Sequence, residues 1–301
     1  MSTAAEPRPA ELPLPGGRPG ATVRLHPLLS GHHLGPRAWF LREERRFAWR
    51  KALGLGVSRS ELIEVPIVAF CVEHPGAGAI LIDTGFHPSV ADTPRENLGL
   101  VSSRSFRDIE MRPEQAVAAQ LRERGLDSAE VGVVVMTHLH TDHASAVSEF
   151  PGATFLVSSR EWDAATSDGP LHGYLRRQFD HPFDWRTLDF DSPDSDAYAT
   201  FGRSYDLFGD GSVRLVFTPG HTLGHLSVVL RLRARDALVA GDAIYNQVAL
   251  RDGHLPYRME DAHLFRRSLR EIQLYARETS DALIIPGHDM GHWRTLDPLY
   301  K

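Results

Sequence analysis

Cysteine is almost missing from this 301-residue chain. Cys71 stands alone, so no internal disulfide can form and thiolate-based structural metal sites are excluded. It lies in the apolar stretch Val68-Ala69-Phe70-Cys71-Val72, the setting of a buried structural thiol, and suits the reducing cytoplasm where we expect the protein to reside. Long apolar runs are missing as well. No uncharged stretch approaches the roughly 20 residues needed to cross a bilayer, so no membrane partner is expected. Basic runs are also lacking: 33 Lys+Arg stand against 39 Asp+Glu, and nothing could neutralise a string of phosphates, which argues against nucleic acid. The first twenty residues carry no apolar run of signal-peptide length. Their Pro7, Pro9, Pro13, Pro15 and Pro19, with Gly16, Gly17 and Gly20, predict a flexible leader over residues 1–20. Beyond it no linker, charge block or internal repeat divides the chain, and residues 21–301 are expected to form a single domain.

What is present is a series of short apolar runs, at residues 66–72, 79–82, 131–136, 154–157, 213–217, 226–232, 237–240 and 282–285. Several are continuous, as in strands covered on both faces. Helices are predicted near 113–124, after a proline suited to a first turn, and over about 261–278, where Leu264, Phe265, Leu269 and Ile272 form one apolar stripe. Strands alternating with helices imply sheets flanked by helices. Residues 160–205, rich in Asp, Pro and aromatics, are expected to hold a helix or two followed by a long loop. Residues 37–55 intersperse aromatics with arginines and glutamates and fit neither period.

The chemistry is carried by Thr137-His138-Leu139-His140-Thr141-Asp142-His143, directly after the run Val133-Val134-Val135-Met136. His138 and His140, two apart on an extended strand end, can point the same way, while Asp142 and His143 lie beyond a turn and can face a second position. Isolated histidines are usually satisfied one by one in a core or at a surface; four ligand-type side chains packed this closely suit two ions side by side. Imidazole and carboxylate are the ligand set of zinc, and also of iron or manganese, and favour a catalytic site.

Three later motifs each follow an apolar run: Thr218-Pro219-Gly220-His221-Thr222-Leu223-Gly224-His225, Ala240-Gly241-Asp242, and Ile285-Pro286-Gly287-His288-Asp289. Together with Leu81-Ile82-Asp83-Thr84-Gly85, they make the stretch from about residue 60 to 290 resemble the metallo-β-lactamase superfamily of hydrolases. The resemblance implies an α/β fold, a four-layer αβ/βα sandwich with two central mixed sheets flanked by helices. It also implies two divalent metal ions, with zinc the first choice and iron, manganese or cobalt as alternatives. One would be held by His138, His140 and His221, the other by Asp142, His143 and His288, with Asp242 bridging them. Asp83 is a candidate to orient a ligating imidazole from behind. His225 is read as a support rather than a ligand.

Within the superfamily, Tyr245, three residues past Asp242, makes the chain resemble the N-acyl-homoserine lactonases, the quorum-quenching lactonases. That resemblance implies a small-molecule lactone or ester substrate and a homodimer. The ring would be opened by a metal-bridging hydroxide, with Tyr245 hydrogen-bonding the developing oxyanion and Asp142 returning a proton to the leaving oxygen. Aromatics of residues 39–49, with Phe179, Phe183 and Trp185, either line an acyl channel or pack in the core or at a dimer contact. One departure is Ala144-Ser145-Ala146, where many lactonases have Ala-Gly-Gly, and the extra bulk is expected to bear on how the following segment approaches the metals. A thioester hydrolase of the glyoxalase II kind is the runner-up, but that family has histidine after the first ligand and a basic tail; this chain has Leu139 and ends Asp297-Pro298-Leu299-Tyr300-Lys301. An esterase or phosphotriesterase of the same fold is a further alternative, and a metal-bearing binding module is the alternative outside enzymes.

Overall fold

The computed structural model describes residues 4–301, and in it the apolar runs become the strands of two mixed sheets. The first holds β1 (Arg8–Pro9), β2 (Arg24–Pro36), β3 (Leu62–His74), β4 (Gly78–Ile82), β5 (Arg107–Glu110), β6 (Val131–Val135), β7 (Thr154–Ser158) and β8 (Asp184–Leu188), in the spatial order β1-β8-β7-β6-β4-β3-β2-β5. The second holds β9 (Asp196–Tyr198), β10 (Phe201–Asp206), β11 (Val213–Phe217), β12 (Leu226–Arg231), β13 (Asp236–Val239) and β14 (Leu283–Ile285), in the order β14-β13-β12-β11-β10-β9. Parallel pairing joins β4 to β6, β6 to β7 and β13 to β14. Hairpin-like antiparallel pairing joins β2 to β3 to β4 and runs from β9 through to β13.

Alternation along the strands sorts the side chains into layers. Ile80 and Ile82 of β4, Val133 and Val135 of β6, and Leu226, Val228 and Leu230 of β12 meet in the core between the sheets. Their neighbours Leu81 and Val134 turn to the far side, under Val117, Leu121 and Trp162. On the outer face of the second sheet Val229 joins Phe265, Leu269, Ile272 and Tyr275 of the long helix Ala262–Glu278. The layers therefore run helix, sheet, sheet, helix, the sandwich the sequence implies, and strands covered on both sides explain the continuous apolar runs. Asp261 starts the long helix by accepting from the backbone N–H groups of His263 and Leu264 at 2.8 and 2.9 Å. Among the described residues no helix is long and apolar enough to cross a membrane.

Three expectations need correction or filling in. Residues 4–20 do not form a flexible leader. The backbone N–H groups of Ala4 and Ala5 donate to Asp180, Arg8–Pro9 pairs with β8, Ala10 donates to Thr187 and Leu14 to Leu207, and the Leu14 side chain enters the central core. Proline lacks a donor, which disqualifies it from central strands but not from an edge, and this is an edge. The thirteen-residue β2 escaped the pattern reading because Pro27, Gly31 and Gly35 and three histidines break its apolar alternation. Residues 160–205 hold the two expected helices, Ser159–Ser167 and Arg176–Phe179, but the expected long loop after them carries β8, β9 and the start of β10. Residues 37–55 resolve into the short helices Arg37–Phe40 and Ala48–Ala52.

Candidate metal centre

Four strand ends feed one pocket. Past β6 come His138 and His140 and then the helical turn Thr141–Ala144, which carries Asp142 and His143. His221 follows β11, Asp242 sits in the turn Gly241–Ala243 after β13, and His288 follows β14. The first sheet thus supplies four of the seven side chains singled out from the sequence, and the second supplies three.

The structure brings all seven together. Ligand atoms of His138, His140 and His221 lie within 4.8 Å of one another, as do those of Asp142, His143 and His288, and those of His138, His143 and Asp242. Asp242 stands between the first two groups with one oxygen turned to each. Its Oδ2 lies 3.2 Å from His221 Nε2 and 3.9 Å from His138 Nε2; its Oδ1 lies 3.2 Å from His288 Nε2 and 3.4 Å from His143 Nε2. Asp142 Oδ2 is 3.5 Å from His288 Nε2 and 3.8 Å from His143 Nε2.

Whether these residues suit metal ions can be judged from what their inner atoms lack. Nε2 of His138, His140 and His143 and Oδ1 of Asp242 are buried with no hydrogen-bond partner. Stranded polar atoms of this kind cost on the order of 1–3 kcal/mol each, and a pair of cations would satisfy those of His138, His143 and Asp242. Two nitrogens face each other directly, His221 Nε2 and His140 Nδ1 at 2.9 Å, a contact that a shared cation explains as readily as a shared proton. The donor set of imidazoles and carboxylates, without sulfur, fits divalent ions of the zinc type.

Behind the inner atoms sits a layer that fixes the rings. Asp83, past the end of β4, accepts from Thr137 N–H and Thr137 Oγ1 at 2.8 Å each and meets His143 Nδ1 at 2.7 Å, which bears out its reading as an orienting carboxylate. Its backbone is in the left-handed region, φ 58°, held there by Asp83 N–H donating to Val135 and Thr84 N–H to His143. His288 Nδ1 lies 3.1 Å from the Pro66 carbonyl, so that ring too has a fixed tautomer. His225 ligates nothing in this arrangement. Its Nε2 accepts the backbone N–H of Asp242 at 3.0 Å, and its other nitrogen meets Thr218 Oγ1, so it holds the aspartate from behind. Burial holds the His225 ring down at about 3, despite the pull of Asp242, so it stays neutral and able to accept.

Tyr245 is buried beside these groups, its hydroxyl 3.0 Å from His221 Nδ1 and its ring edge-on to Phe40. Burial, with Asp242 and Asp142 nearby, pushes its phenol well above the ordinary range and keeps it protonated. A cavity of about 390 Å³ opens outward from Tyr245 and from His140, Asp142, His221, Asp242 and His288, lined by Trp39, Phe40, Ala52, Leu53 and Phe106, with Arg258 at its wall. Of the aromatics with two readings, Trp39 and Phe40 therefore face the pocket, whereas Phe179 and Trp185 lie in the core and Phe183 packs against it. Gly173 closes another wall. A Cβ there would stand 2.7 Å from the His140 ring, and its carbonyl accepts from Thr141 N–H and Oγ1.

The Ala144-Ser145-Ala146 departure puts a hydroxyl into the turn after His143. Ser145 is buried, donates to Asn97 Oδ1 at 2.6 Å and accepts the backbone N–H of His87 at 3.0 Å, so its hydroxyl ties the turn to the segment at residues 87–97. Sequence reasoning missed Gly173, Arg258 and the buried Glu161. All three lie outside any motif, and the first and last fall in the stretch with no readable period.

Residues 62–288 match the family described as Metallo-beta-lactamase superfamily, and the chain belongs to that superfamily. Among curated proteins it is similar to N-acyl homoserine lactonase AttM of Rhizobium radiobacter, 33% identical over 234 residues that cover 76% of this chain and 84% of the relative. AttM of Azorhizobium caulinodans is 34% identical with the same coverage. Among solved structures, an AiiA mutant of B. thuringiensis with N-decanoyl-L-homoserine bound at its active site matches with a TM-score of 0.74 at 20% identity, over 93% of this chain and 100% of that one, a likeness of fold.

Proposed function

We propose that the protein is a dinuclear metal hydrolase that opens the lactone ring of N-acyl homoserine lactones. The observation that carries this reading is Asp242, whose two oxygens each face a separate cluster of ligand atoms while Tyr245 closes the same pocket. In this reading His138, His140 and His221 hold one ion, Asp142, His143 and His288 hold the other, and Asp242 bridges. Zinc is the ion this donor set favours. When bound, such a pair lowers the pKa of a shared water to around 7 and polarises a carbonyl.

The chain's own residues do the rest. With Nε2 of His221 committed to a cation, the ring proton resides on Nδ1 and is donated to the Tyr245 oxygen 3.0 Å away. The phenol's own hydrogen is then free to point at the lactone carbonyl oxygen and to stabilise the negative charge that develops there. Asp142, the more exposed of the two acidic side chains, would take up the proton released by the attacking water and hand it to the ring oxygen as the C–O bond breaks, leaving the carboxylate as it began. The apolar lining from Trp39 to Phe106 excludes water from an acyl tail. The relatives named for lactonase activity support the choice of substrate.

The test is a turnover panel of the zinc-loaded protein on short- and long-chain acyl-homoserine lactones, S-lactoylglutathione, a cephalosporin and an aryl phosphotriester. Ring opening of the lactones is expected to exceed the other reactions by at least about tenfold in kcat/KM. Faster cleavage of the thioester would transfer the protein to the glyoxalase II kind.

A further inference from the structure

Glu161 has no part in the chemistry above, yet it is fully buried in the first turn of the helix Ser159–Ser167. Its Oε1 accepts the backbone N–H of Leu139 at 2.9 Å, and its Oε2 accepts the hydroxyl of Thr222 at 2.5 Å. Leu139 lies between His138 and His140, and Thr222 directly follows His221. One carboxylate therefore grips both loops that bear the three-histidine cluster, although one loop leaves β6 of the first sheet and the other leaves β11 of the second. Other features hold the carboxylate in place. Gly224 lies so close that a Cβ there would stand 2.0 Å from the Glu161 backbone nitrogen, so the helix start and the 221–225 loop are in backbone contact. The Leu139 side chain is buried in the core, and its N–H is left to the glutamate.

Burying a carboxylate is expensive unless strong donors meet it, and a fold that needed only packing here would be served by an apolar side chain. The other cluster has supports that Glu161 does not touch, the Pro66 carbonyl behind His288 and Asp83 behind His143, although Asp83 also holds Thr137 beside His138. We propose that Glu161 is a positioning residue that clamps the two loops so that His138, His140 and His221 converge on one metal ion, leaving the Asp142, His143 and His288 half to its own supports.

The inference rests on the ligand assignment proposed above but not on the substrate. It is tested by zinc titration of metal-free protein against a chromogenic chelator, with no lactone present, so a failed clamp and a failed lactonase reading give separate results. Glu161→Ala is expected to weaken one binding step about 10- to 100-fold and leave the other unchanged, the usual effect of losing an outer partner of the ligands. Glu161→Gln is expected to restore that step, because its amide can accept from Leu139 and donate to Thr222. In a His221→Ala background, where the three-histidine half is already broken, adding Glu161→Ala should change the remaining step by less than about twofold. Wild-type affinity at both steps in Glu161→Ala overturns the clamp, and equal weakening of both steps overturns its restriction to one half. Should Glu161→Ala fail to fold, as judged by circular dichroism, Thr222→Val removes one arm alone and is expected to weaken the same step several-fold, with no weakening again overturning the proposal.

Discussion

At the scale of single residues, the position of protons matters as much as the position of ligands. Tyr245 meets His221 Nδ1, so its hydroxyl can be an acceptor from the ring and a donor to substrate at once. Replacing Tyr245 with Phe is expected to lower kcat by on the order of 10²-fold while two metal ions remain bound, as read by steady-state kinetics beside elemental analysis; an unchanged kcat would remove the tyrosine from the mechanism. The seven candidate ligands were legible because each motif follows a recognisable strand and its residue types are improbable neighbours by chance. Asp83 was legible for the same reason, as part of a strand-end motif. Glu161 was not: a single glutamate at a helix start is the commonest of surface residues, and only the meeting of two loops from different sheets gives it meaning.

At the scale of elements, legibility followed periodicity. The helix Ala262–Glu278 announces itself through Leu264, Phe265, Leu269 and Ile272, of which the last three are buried against the second sheet beside Tyr275 while Leu264 is half-buried. Leu269→Ala is expected to cost about 2–5 kcal/mol in urea unfolding, the range for a buried leucine truncated in a close-packed core. Elements with one face on charged or polar surroundings lost the signal. In β8, Asp184 and Arg186 form an ion pair on the strand while Trp185 and Leu188 are buried, a pattern too short to read against its Asp-rich flanks. β2 kept its hydrogen bonds to β3 along nearly its whole length despite two glycines, with a register shift between Leu29 and Gly31 that takes up the irregularity. That irregularity is what concealed it.

At the scale of the whole molecule, the candidate centre draws on both sheets, so binding ions and packing the sheets together are linked. Stripping the metals with a chelator is expected to lower the thermal midpoint by several degrees, and restoring zinc at 1,000-fold excess over its Kd should return about 4 kcal/mol. Calorimetry with and without chelator reads this directly, and an unchanged midpoint would argue against ions held between the sheets. A second tie lies at the opposite side. Asp210, in the turn between β10 and β11, accepts the backbone N–H groups of Arg18 and Ser212 and meets His74 Nε2 at 3.1 Å. Burial works against its charge, but these hydrogen bonds hold the carboxyl down at about 2. An unfolded aspartate titrates near ~3.9, so this stabilisation is fully present above about pH 4 and is lost as the pH falls through about 2. Asp210→Asn should therefore be less stable than the parent at pH 7, and the gap between their urea midpoints should close across that acid window.

Residues 4–14 reach their partners late. Arg8 meets Asp184 across 176 positions of chain, and Leu14 waits for Leu207. During synthesis residues 4–14 cannot make these contacts until β8 and the stretch around Leu207 have emerged, after roughly two-thirds of the 301 residues have been built. Closing so distant a contact is slow. Strand β1 can therefore be placed only once β8 is available, and completion of that sandwich edge comes late in folding.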